Sequence, residues 1–286
     1  MKWKQIQRVL GVSAIITGFA AGLTTVQPVA AATAVSACGT ITTSGSYYLT
    51  KSIGVPGNCM EIRASNVTFN LMGFGIVGNG TIGRGVTIAR GATSVHMANG
   101  QISAWAVGVE DLGSGALLQN LTIRNNTLMG VALAGVTGSR VQGDRFPGNG
   151  SVAIYANATR GALVGGNIST GSGKYGVWVR SSTQFTIRNN QISQDGIAGI
   201  FVGCSGHGIT NTLTCLPDSA GVIASNRVIY NTHLGIAIDR GNNHNQVTHN
   251  QVSGSGIFDL FDSNLACGTN AWSSNIYKTH NQSCVL

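Results

Sequence analysis

Charged side chains are scarce in this 286-residue chain, where Asp, Glu, Lys and Arg together make up 9% of the residues. The nine acidic residues form no cluster of the kind that holds calcium. They also offer no obvious pair of neighbouring carboxylates, which hydrolysis of a glycosidic bond requires. The composition therefore disfavours a calcium-dependent enzyme and a two-carboxylate hydrolase.

Helix-forming runs of Ala, Glu, Lys and Leu are nearly absent after residue 32, and no later segment is apolar enough to span a membrane. What the chain has instead is 41 glycines, many Asn, Ser and Thr residues, and Val, Ile and Leu at regular intervals. The mean hydropathy is slightly positive, at +0.18. This composition favours a packed β architecture over disorder.

The first 32 residues are typical of a secretory signal peptide. Lys2, Lys4 and Arg8 precede a mostly apolar run, and small residues follow it at residues 29–32. An uncleaved membrane anchor is the alternative, because the run is near spanning length. We expect residues 1–32 to be removed, residues 33–286 to form one domain, and the protein to be secreted or periplasmic.

All six cysteines lie after the signal segment, an even number in an oxidising compartment. Six cysteines allow fifteen pairings, and sequence proximity favours three of them. No CxxC spacing indicates a metal cluster or a redox motif, so we expect structural disulfides. The favoured pairs are Cys38–Cys59, Cys204–Cys215 and Cys267–Cys284.

A Gly-Val or Gly-Ile dipeptide returns about once per 20-odd residues, with Ser151-Val152 in the place of one missing copy. Such a period predicts stacked repeats, each burying its apolar face against its neighbours. The inward pairs would include Val86/Ile88, Val152/Ile154 and Val177/Val179. The other dipeptides begin at Gly85, Gly108, Gly130, Gly176, Gly199, Gly235 and Gly256.

A second strand is expected about ten residues after each dipeptide, followed by a turn and a further apolar residue. Asn190, Asn226 and Asn250 share one position of these turns, with Asp144 in the matching place of an earlier repeat. Stacked Asn amides hydrogen-bond along such a column and satisfy turn backbone. We interpret this column as structural.

These repeats and the Asn column resemble the right-handed parallel β-helix superfamily with the pectin-lyase-like fold. The resemblance covers about residues 40–286 and implies an all-β solenoid of about nine to ten coils. It also implies an N-terminal cap over residues 33–62 and a C-terminal cap over residues 259–286, both pinned by disulfides, and one disulfide-bounded loop. Trp272, Tyr277 and Phe261 are then expected in cap packing. The scaffold alone does not choose a function.

The charge balance points to an anionic partner. Without Lys2, Lys4 and Arg8, 14 basic residues face nine acidic ones, and eleven of the 14 are Arg. Guanidinium groups pair well with carboxylate, sulfate and phosphate. For a secreted protein we expect an acidic polysaccharide or cell-surface glycan, no nucleic acid and no stable membrane insertion; scattered charge for solubility is the alternative.

One region brings together bases, an acid, aromatic residues and an unusual loop. The step between Gly199 and Gly235 is 36 residues long, and its excess is the segment bounded by Cys204 and Cys215. Aligning the repeats places a groove beside it. We predict catalytic roles for Tyr175, Arg180, His207, Asp239 and Arg240, and substrate binding by Tyr155, Lys174, Trp178 and Phe201. Phe258 is expected in the same outward position as Trp178 and Phe201.

A basic groove of this kind suits an acidic polysaccharide. Cleavage by β-elimination needs a cation for the uronate carboxylate, a base for the C5 proton and an acid for the leaving oxygen. Arg180 or Arg240 would neutralise the uronate carboxylate. Tyr175, His207 or Lys174 would transfer the protons. Epimerisation at C5 needs the same groups, so the sequence leaves both reactions open, with no cofactor or metal expected.

The second hypothesis is a non-catalytic β-helix that binds glycan or serves as a structural surface element. It accounts for the charge, the disulfides and the repeat without a catalytic constellation. A metal site at His233, His244 and His249 is disfavoured, because no spacing places them on one face. Gly206-His207-Gly208 matches a short motif of β-helix polygalacturonases, but their paired aspartates are missing.

Overall fold

The computed structural model of the protein describes residues 31–80, 82–204 and 216–285. These belong to one compact unit, Ala31–Leu286. In them the chain forms strands and a single three-residue 3₁₀ helix, Leu265–Cys267. The predicted signal peptide lies almost entirely outside the described ranges. No helix within those ranges has the length and apolar character needed to cross a membrane.

Sheet 1 has ten strands that lie side by side in chain order. All neighbours in it are parallel, and each strand comes from one coil of the chain. The ten coils agree with the nine to ten expected from the repeats. The strands are Gly39–Ile41, Met60–Ile62, Arg84–Ile88, Val107–Asp111, Met129–Ala134, Val152–Asn157, Tyr175–Arg180, Ala198–Val202, Leu234–Ile238 and Phe258–Asp262.

Sheet 2 has seventeen strands and supplies the other faces of the coils. Its strands are Thr33–Val35, Gly45–Leu49, Val67–Asn70, Gly75–Val77, Val95–Ser103, Leu117–Arg124, Arg140–Gln142, Arg145–Pro147, Leu163–Gly165, Ile168–Thr170, Thr186–Arg188, Gln191–Ser193, Val222–Ala224, Arg227–Ile229, Gln246–Thr248, Gln251–Ser253 and Ala271–Ser273. The long strands Val95–Ser103 and Leu117–Arg124 run through a bend that splits in later coils into two short strands.

A central coil shows how the chain turns. It contributes Tyr175–Arg180 to sheet 1, then Thr186–Arg188 and Gln191–Ser193 to sheet 2. Each of the three pairs with the corresponding strand of the next coil. The coil is therefore three-sided, and every backbone ladder is parallel, as the repeat predicts. Parallel strands that cannot pair within their own coil must pair with a neighbour.

The register of sheet 1 corrects the placement of two repeat positions. Val131 lies opposite Ile154, and Ile154 opposite Val177. The missing dipeptide is thus Ala153-Ile154, and Ser151-Val152 was the wrong choice. In the last coil Ile236 lies opposite Leu260, so Gly256-Ile257 is not the repeat position. In these two coils the position that is glycine in the other dipeptide repeats is occupied by Ala153 and Asp259. A search for Gly-Val or Gly-Ile dipeptides therefore misplaces both repeats.

The interior of the coils is filled by stacked aliphatic side chains. Val177, Ile200 and Ile236 lie in one inward row and are at most 1% exposed. Ile187 and Ile223 from sheet 2 meet them across a single core. Placing like residues in register lets β-branched side chains interdigitate at the density of a protein core. The core therefore runs along the helix axis and is shared by all coils.

One glycine of the repeat is required by packing. A Cβ on Gly199 would lie 2.4 Å from Cγ1 of Val228 and 2.8 Å from Nδ2 of Asn231. Both neighbours are buried. The strand of sheet 1 thus approaches the opposite corner so closely that only a hydrogen fits there.

We predict that Gly199→Ala lowers the free energy of unfolding by about 1–3 kcal/mol, because the added methyl group overpacks the core. Denaturant unfolding of the mature chain measures this change. Gly39→Ala is the matched control, since nothing lies within 4 Å of a Cβ at that position. Equal stability of the two variants would contradict this account of the repeat glycine.

The predicted Asn column is confirmed and is longer than expected. Nδ2 of Asn190 donates to Oδ1 of Asn226 at 2.9 Å, and Asn226 donates to Asn250 at 2.9 Å. The column continues to Asn167 on one side and Asn275 on the other. Each of these amides also donates to a backbone carbonyl of the preceding coil, as Asn190 does to Val164. The ladder satisfies turn groups that the tight corner buries.

Aspartates occupy several positions of the corner ladders. Backbone N–H groups donate to Oδ1 of Asp144 and Asp195 from Leu121 and Ser172. Their Oδ2 atoms are buried and accept no hydrogen bond from the described residues. Burial raises the pKa of Asp144 to about 7 and that of Asp195 to about 8, although these backbone donors oppose the shift. A protonated carboxyl can donate as the Asn amides of the ladder do.

We predict that the protein loses stability as the pH rises from about 4 to about 8, because Asp195 binds its proton more tightly when folded, with a pKa of about 8 against an ordinary 3.8. The stability contributed by the protonated Asp195 is fully present below the pKa of this residue in the unfolded chain. It is lost as the pH rises through the pKa in the folded chain. Asp195→Asn should make stability less dependent on pH and raise the free energy of unfolding by about 1–3 kcal/mol at alkaline pH. Thermal melts across this range measure it.

The control for that experiment is Glu110→Gln, which removes a carboxylate on the outer side of sheet 1 and leaves the corner ladder intact. It should retain the slope of the wild-type chain. A slope that Asp195→Asn leaves unchanged would show that the ladder carboxyls are not protonated in the fold.

The disulfides Cys38–Cys59 and Cys267–Cys284 are present, as predicted. Cys38–Cys59 joins the first two coils. At the other end Nε1 of Trp272 donates to Oδ2 of Asp262 at 2.9 Å, which fits the predicted cap. Phe261 does not belong to that cap core, because it lies in the last strand of sheet 1 and stacks on Phe258.

Candidate functional site

The outer side of sheet 1 carries one continuous row of side chains, one per coil. Register places Tyr155 beside Trp178 and Trp178 beside Phe201. Taking Ser151-Val152 as the repeat dipeptide places Tyr155 opposite Arg180, which the register shows to be wrong by two residues. The row, in coil order, is Thr40, Glu61, Thr87, Glu110, Ala132, Tyr155, Trp178, Phe201, Ala237 and Phe261.

A second outward row runs beside the first and is almost entirely apolar. It holds Val152, Tyr175, Ala198, Leu234 and Phe258 in register. Phe258 therefore lies in the row of Tyr175 and not, as expected, in that of Trp178. Together the two rows form an apolar cluster on the outside of the coil, separate from the core inside it.

Four aromatic rings meet in this cluster. The ring centroids of Tyr155 and Trp178 are 4.9 Å apart, and those of Tyr175 and Trp178 are 5.1 Å apart. Tyr175 stacks on Phe201 at 5.2 Å. The predicted convergence of these residues is thus observed, with spacings at which aromatic pairs attract one another.

Exposure divides the four rings into two pairs. Tyr175 and Phe201 are 1% and 5% exposed, whereas Tyr155 and Trp178 are partly exposed. Nε1 of Trp178 donates to the carbonyl oxygen of Gly203 at 2.8 Å, which fixes the indole. Tyr155 and Trp178 are therefore the rings a ligand can reach, and Tyr175 and Phe201 support them. We call Tyr155 and Trp178 the aromatic platform.

The ends of the sheet 1 strands add a polar column beside the platform. Asn157 lies opposite Arg180 on the neighbouring strand. The backbone N–H of Gly203 donates to the strand that carries Arg180, and Asp239 takes the matching place in the coil after Gly203. Arg180 and Asp239 are thus two coils apart with a glycine between them. A Cβ on Gly203 would lie 2.3 Å from Cβ of Asp239, so the glycine makes room for that carboxylate.

Asp239 is held in place by its neighbours. Its Oδ1 accepts a hydrogen bond from the backbone N–H of Arg240 at 2.9 Å and from Oγ of Ser263 at 3.2 Å. Arg240 itself is exposed. The backbone of Lys174 bonds to Ser151 and Ala198 at the turn before Trp178, and its side chain is exposed. Both cations border the site.

Asp218 also lies close to Arg180 and Asp239, although it was not among the predicted site residues. It is buried and accepts a hydrogen bond from the backbone N–H of Ser182 at 2.6 Å. Burial raises its pKa to about 7; the hydrogen bond and the charge of Arg180 lower it, and the charge of Asp239 raises it. Its link to Asn242 places it in a corner ladder, which its position after the inserted loop did not reveal.

His207 and Cys215 lie outside the described residues, as does the loop between Cys204 and Leu216. His233, His244 and His249 do not gather at one point: Nδ1 of His233 lies 3.0 Å from the carbonyl oxygen of Gly196, and His249 contacts Thr248. Within the described ranges no group of three or more His, Cys, Asp or Glu side chains is placed to hold a metal ion.

The first coils carry a separate cleft of about 410 Å³ on the same side of the solenoid. It contains Glu61 and Glu110, two steps apart in the outer row of sheet 1. Acids distant in the sequence therefore share one cleft, although no spacing in the sequence indicates it. Each forms an ion pair, Glu61 with Arg63 and Glu110 with Arg84, so neither carboxylate stands ready as a free base.

Comparisons with known proteins agree with this architecture. A family model described as a right handed beta helix region matches residues 84–215. The fold is a right-handed parallel β-helix. The prediction of fold class is confirmed. No curated protein matches the sequence significantly.

Three solved structures are similar to this β-helix. The Dettilon tailspike protein gp208 matches with a TM-score of 0.71 and 16% identity over 87% of this chain and 54% of its own. The A-module of mannuronan C-5 epimerase AlgE6 from Azotobacter vinelandii matches with a TM-score of 0.67 and 14% identity over 81% and 68%. An alginate lyase from Paenibacillus sp. str. FPU-7 matches with a TM-score of 0.52 and 10% identity over 84% and 93%.

At such identities the likeness concerns the fold. The chain spans about half the length of the tailspike chain, at 54%. What each of these proteins does is carried by side chains that a shared scaffold does not conserve. What this β-helix does therefore depends on its own side chains, among them the aromatic platform and the polar column.

We predict that Trp178 provides most of the tryptophan fluorescence that a small polar quencher can reach, because the other described tryptophans, Trp105 and Trp272, are 0% and 6% exposed. Trp178→Phe should remove most of that accessible fraction in acrylamide titrations of the mature chain. Trp272→Phe, the matched control, should leave it nearly intact. The reverse pattern would contradict the proposed exposure of the platform.

Proposed function

We propose that the protein acts on an acidic polysaccharide outside the cytoplasm, at the platform and polar column of sheet 1, by removing the C5 proton of a uronate residue. The observation that supports this most directly is the placement of Arg180 and Asp239 beside Tyr155 and Trp178, with glycine between the two charges. Two described disulfides fit an oxidising compartment.

In this proposal a sugar ring stacks on the aromatic platform, whose rings Tyr155 and Trp178 stay partly exposed. Arg180 projects two residues after Trp178 on the same strand, about 7 Å along it. Its guanidinium pairs with the uronate carboxylate. Pairing withdraws electron density and makes the neighbouring C5 proton more acidic.

Asp239 then accepts the C5 proton. In β-elimination the electron pair of the C5–H bond forms a C4–C5 double bond, the C4–O bond breaks, and the leaving oxygen takes a proton from Tyr155 or Lys174. In epimerisation C5 receives a proton on the opposite face instead, and no bond of the chain breaks. The two reactions share the first step and differ in which atom the donor reaches.

The similar structures include an alginate lyase and a mannuronan C-5 epimerase. Both proteins are named for a polyuronate, mannuronan or alginate, which supports the substrate class proposed here. Tyr175, expected to transfer protons, is buried beneath the platform. In the proposal its role passes to Tyr155 or Lys174, while Arg240 contributes positive charge at the rim.

A non-catalytic glycan-binding protein is the second candidate. Two observations favour it: Asp218 belongs to a structural ladder, and Tyr175 is inaccessible to a polymer. In this case the platform would hold sugar and the charges of the polar column would orient it, without proton transfer.

We predict that the mature chain exchanges C5 hydrogen of a polyuronate with deuterium from D₂O, or cleaves it to an unsaturated uronate that absorbs in the ultraviolet. NMR and absorbance over polygalacturonate, polymannuronate and polyguluronate measure the two outcomes. Arg180→Ala should lower the rate about 100-fold or more, because it removes charge stabilisation of the transition state.

Arg90→Ala is the matched control, since Arg90 is an exposed arginine in a turn several coils away. It should keep the wild-type rate. Exchange without an unsaturated product identifies an epimerase, and an unsaturated product identifies a lyase. Binding without either reaction would replace the enzymatic proposal by the glycan-binding one.

A further inference from the structure

The acidic and basic residues of this β-helix are separated in space. Six of the nine acids are buried, in the corner ladders or the C-terminal closure: Asp111, Asp144, Asp195, Asp218, Asp259 and Asp262. The other three, Glu61, Glu110 and Asp239, lie in sheet 1 strands or directly after one. The outer face of sheet 2 therefore carries no acidic side chain.

That face carries exposed arginines, three of them along one corner. We call Arg140, Arg145, Arg188 and Arg227 the arginine strip; all four are exposed strand residues of sheet 2. Three of them lie within two residues of the Asn column, because Arg145 follows Asp144, Arg188 precedes Asn190, and Arg227 follows Asn226. The strip thus follows the axis of the helix along a rigid edge.

The register gives the spacing of the strip. Arg145 and Arg227 occupy the same row, with Ile168 and Gln191 between them. Three steps between parallel strands amount to about 14 Å. Arg188 lies two coils after Gln142 in the neighbouring row. Arg145, Arg188 and Arg227 thus belong to different coils, and Ile168 and Gln191 occupy the row between Arg145 and Arg227.

No arginine of the strip forms an ion pair with an acidic side chain among the described residues. The ion pairs among the described residues are Arg63–Glu61 and Arg84–Glu110, and both are on the other sheet. Arginine is more weakly hydrated than lysine and offers a planar fork that pairs with carboxylate or sulfate. Four such groups on a face without acids create a positive potential that attracts a polyanion.

We propose that the arginine strip is a binding surface for a linear acidic polysaccharide that lies along the helix axis. The rise of one coil, about 4.8 Å, is comparable to the length of one pyranose residue, so carboxylates or sulfates on a chain can meet arginines on successive coils. Gln142 and Gln191 supply amides for the sugar hydroxyls. Arg188 and Arg227 lie on successive coils and Arg145 two coils before Arg188, an arrangement that suits a single extended chain.

This surface is independent of the chemistry proposed for sheet 1, since no strip residue belongs to the platform or the polar column. If both hold, the strip retains the polymer while sheet 1 acts on it. If sheet 1 is inert, the strip still attaches the protein to an acidic matrix. Its test therefore uses binding and not turnover.

The test compares two triple variants of the mature chain. Arg145→Ala/Arg188→Ala/Arg227→Ala removes three strip charges, and Arg90→Ala/Arg160→Ala/Lys278→Ala removes three exposed charges elsewhere. Biolayer interferometry measures binding to immobilised polygalacturonate, with dextran as the neutral polymer. We expect the strip variant to bind about tenfold more weakly or worse, with a shallower salt dependence, and the control to bind nearly as wild type.

Circular dichroism melts of both variants establish that they are folded. We expect both to fold, because the substituted side chains are exposed and the core is unchanged. The same measurement with double-stranded DNA and with phosphatidylglycerol vesicles separates the alternatives. Tighter binding of either than of polygalacturonate, dependent on the strip, would assign the surface to that partner and overturn the proposal. Equal loss in the two variants would show that net charge, not the strip, drives binding.

Discussion

Hydrogen bonding between successive coils is the interaction on which everything else in this protein depends. Each strand finds its partner a full turn away, as Tyr175–Arg180 pairs with Val152–Asn157 and Ala198–Val202. A single coil has no internal sheet and buries its aliphatic side chains against its neighbours alone. The same pairing brings side chains of distant residues into rows, so the fold and the candidate site come from one constraint.

Closing each coil at three corners imposes the second constraint, because tight turns bury polar backbone that must be satisfied. The Asn column meets this need with amides that donate and accept together, as between Asn190 and Asn226. Aspartates take equivalent places only with raised pKa values, of which Asp195 at about 8 is the clearest case. Placing acids inside leaves the outer face of sheet 2 cationic, so corner packing and surface charge are linked.

The sequence was informative wherever the repeat was regular. Stacked coils, parallel strands, the Asn column and the two end disulfides could be read from spacing and residue type, because each recurs or lies close in sequence. Errors of two or three residues arose where the glycine position holds another residue, at Ala153 and Asp259. These small slips placed Tyr155 and Phe258 in the wrong outward rows, since register decides which residues of neighbouring strands lie side by side.

The candidate site was also only partly predictable from the sequence. Proximity of Tyr155, Tyr175, Trp178 and Phe201 was predictable from coil alignment, whereas the burial of Tyr175 and Phe201 depends on how the rings pack against one another. The role of Asp218 was hidden because its partners, Ser182 and Asn242, belong to other coils. Glu61 and Glu110 share a row for the same reason, with no sequence signal that joins them.

The sequence by itself determined the solenoid, because a periodic pattern of small and β-branched residues has one way to bury every unit. It also determined the oxidising setting expected from paired cysteines, and the excess of arginine. Only the tertiary structure decided which aromatic rings reach the surface, which acids are buried and where the arginines align. Those properties depend on register and on packing between coils, and a shift of one residue reverses the side of the sheet on which a side chain lies.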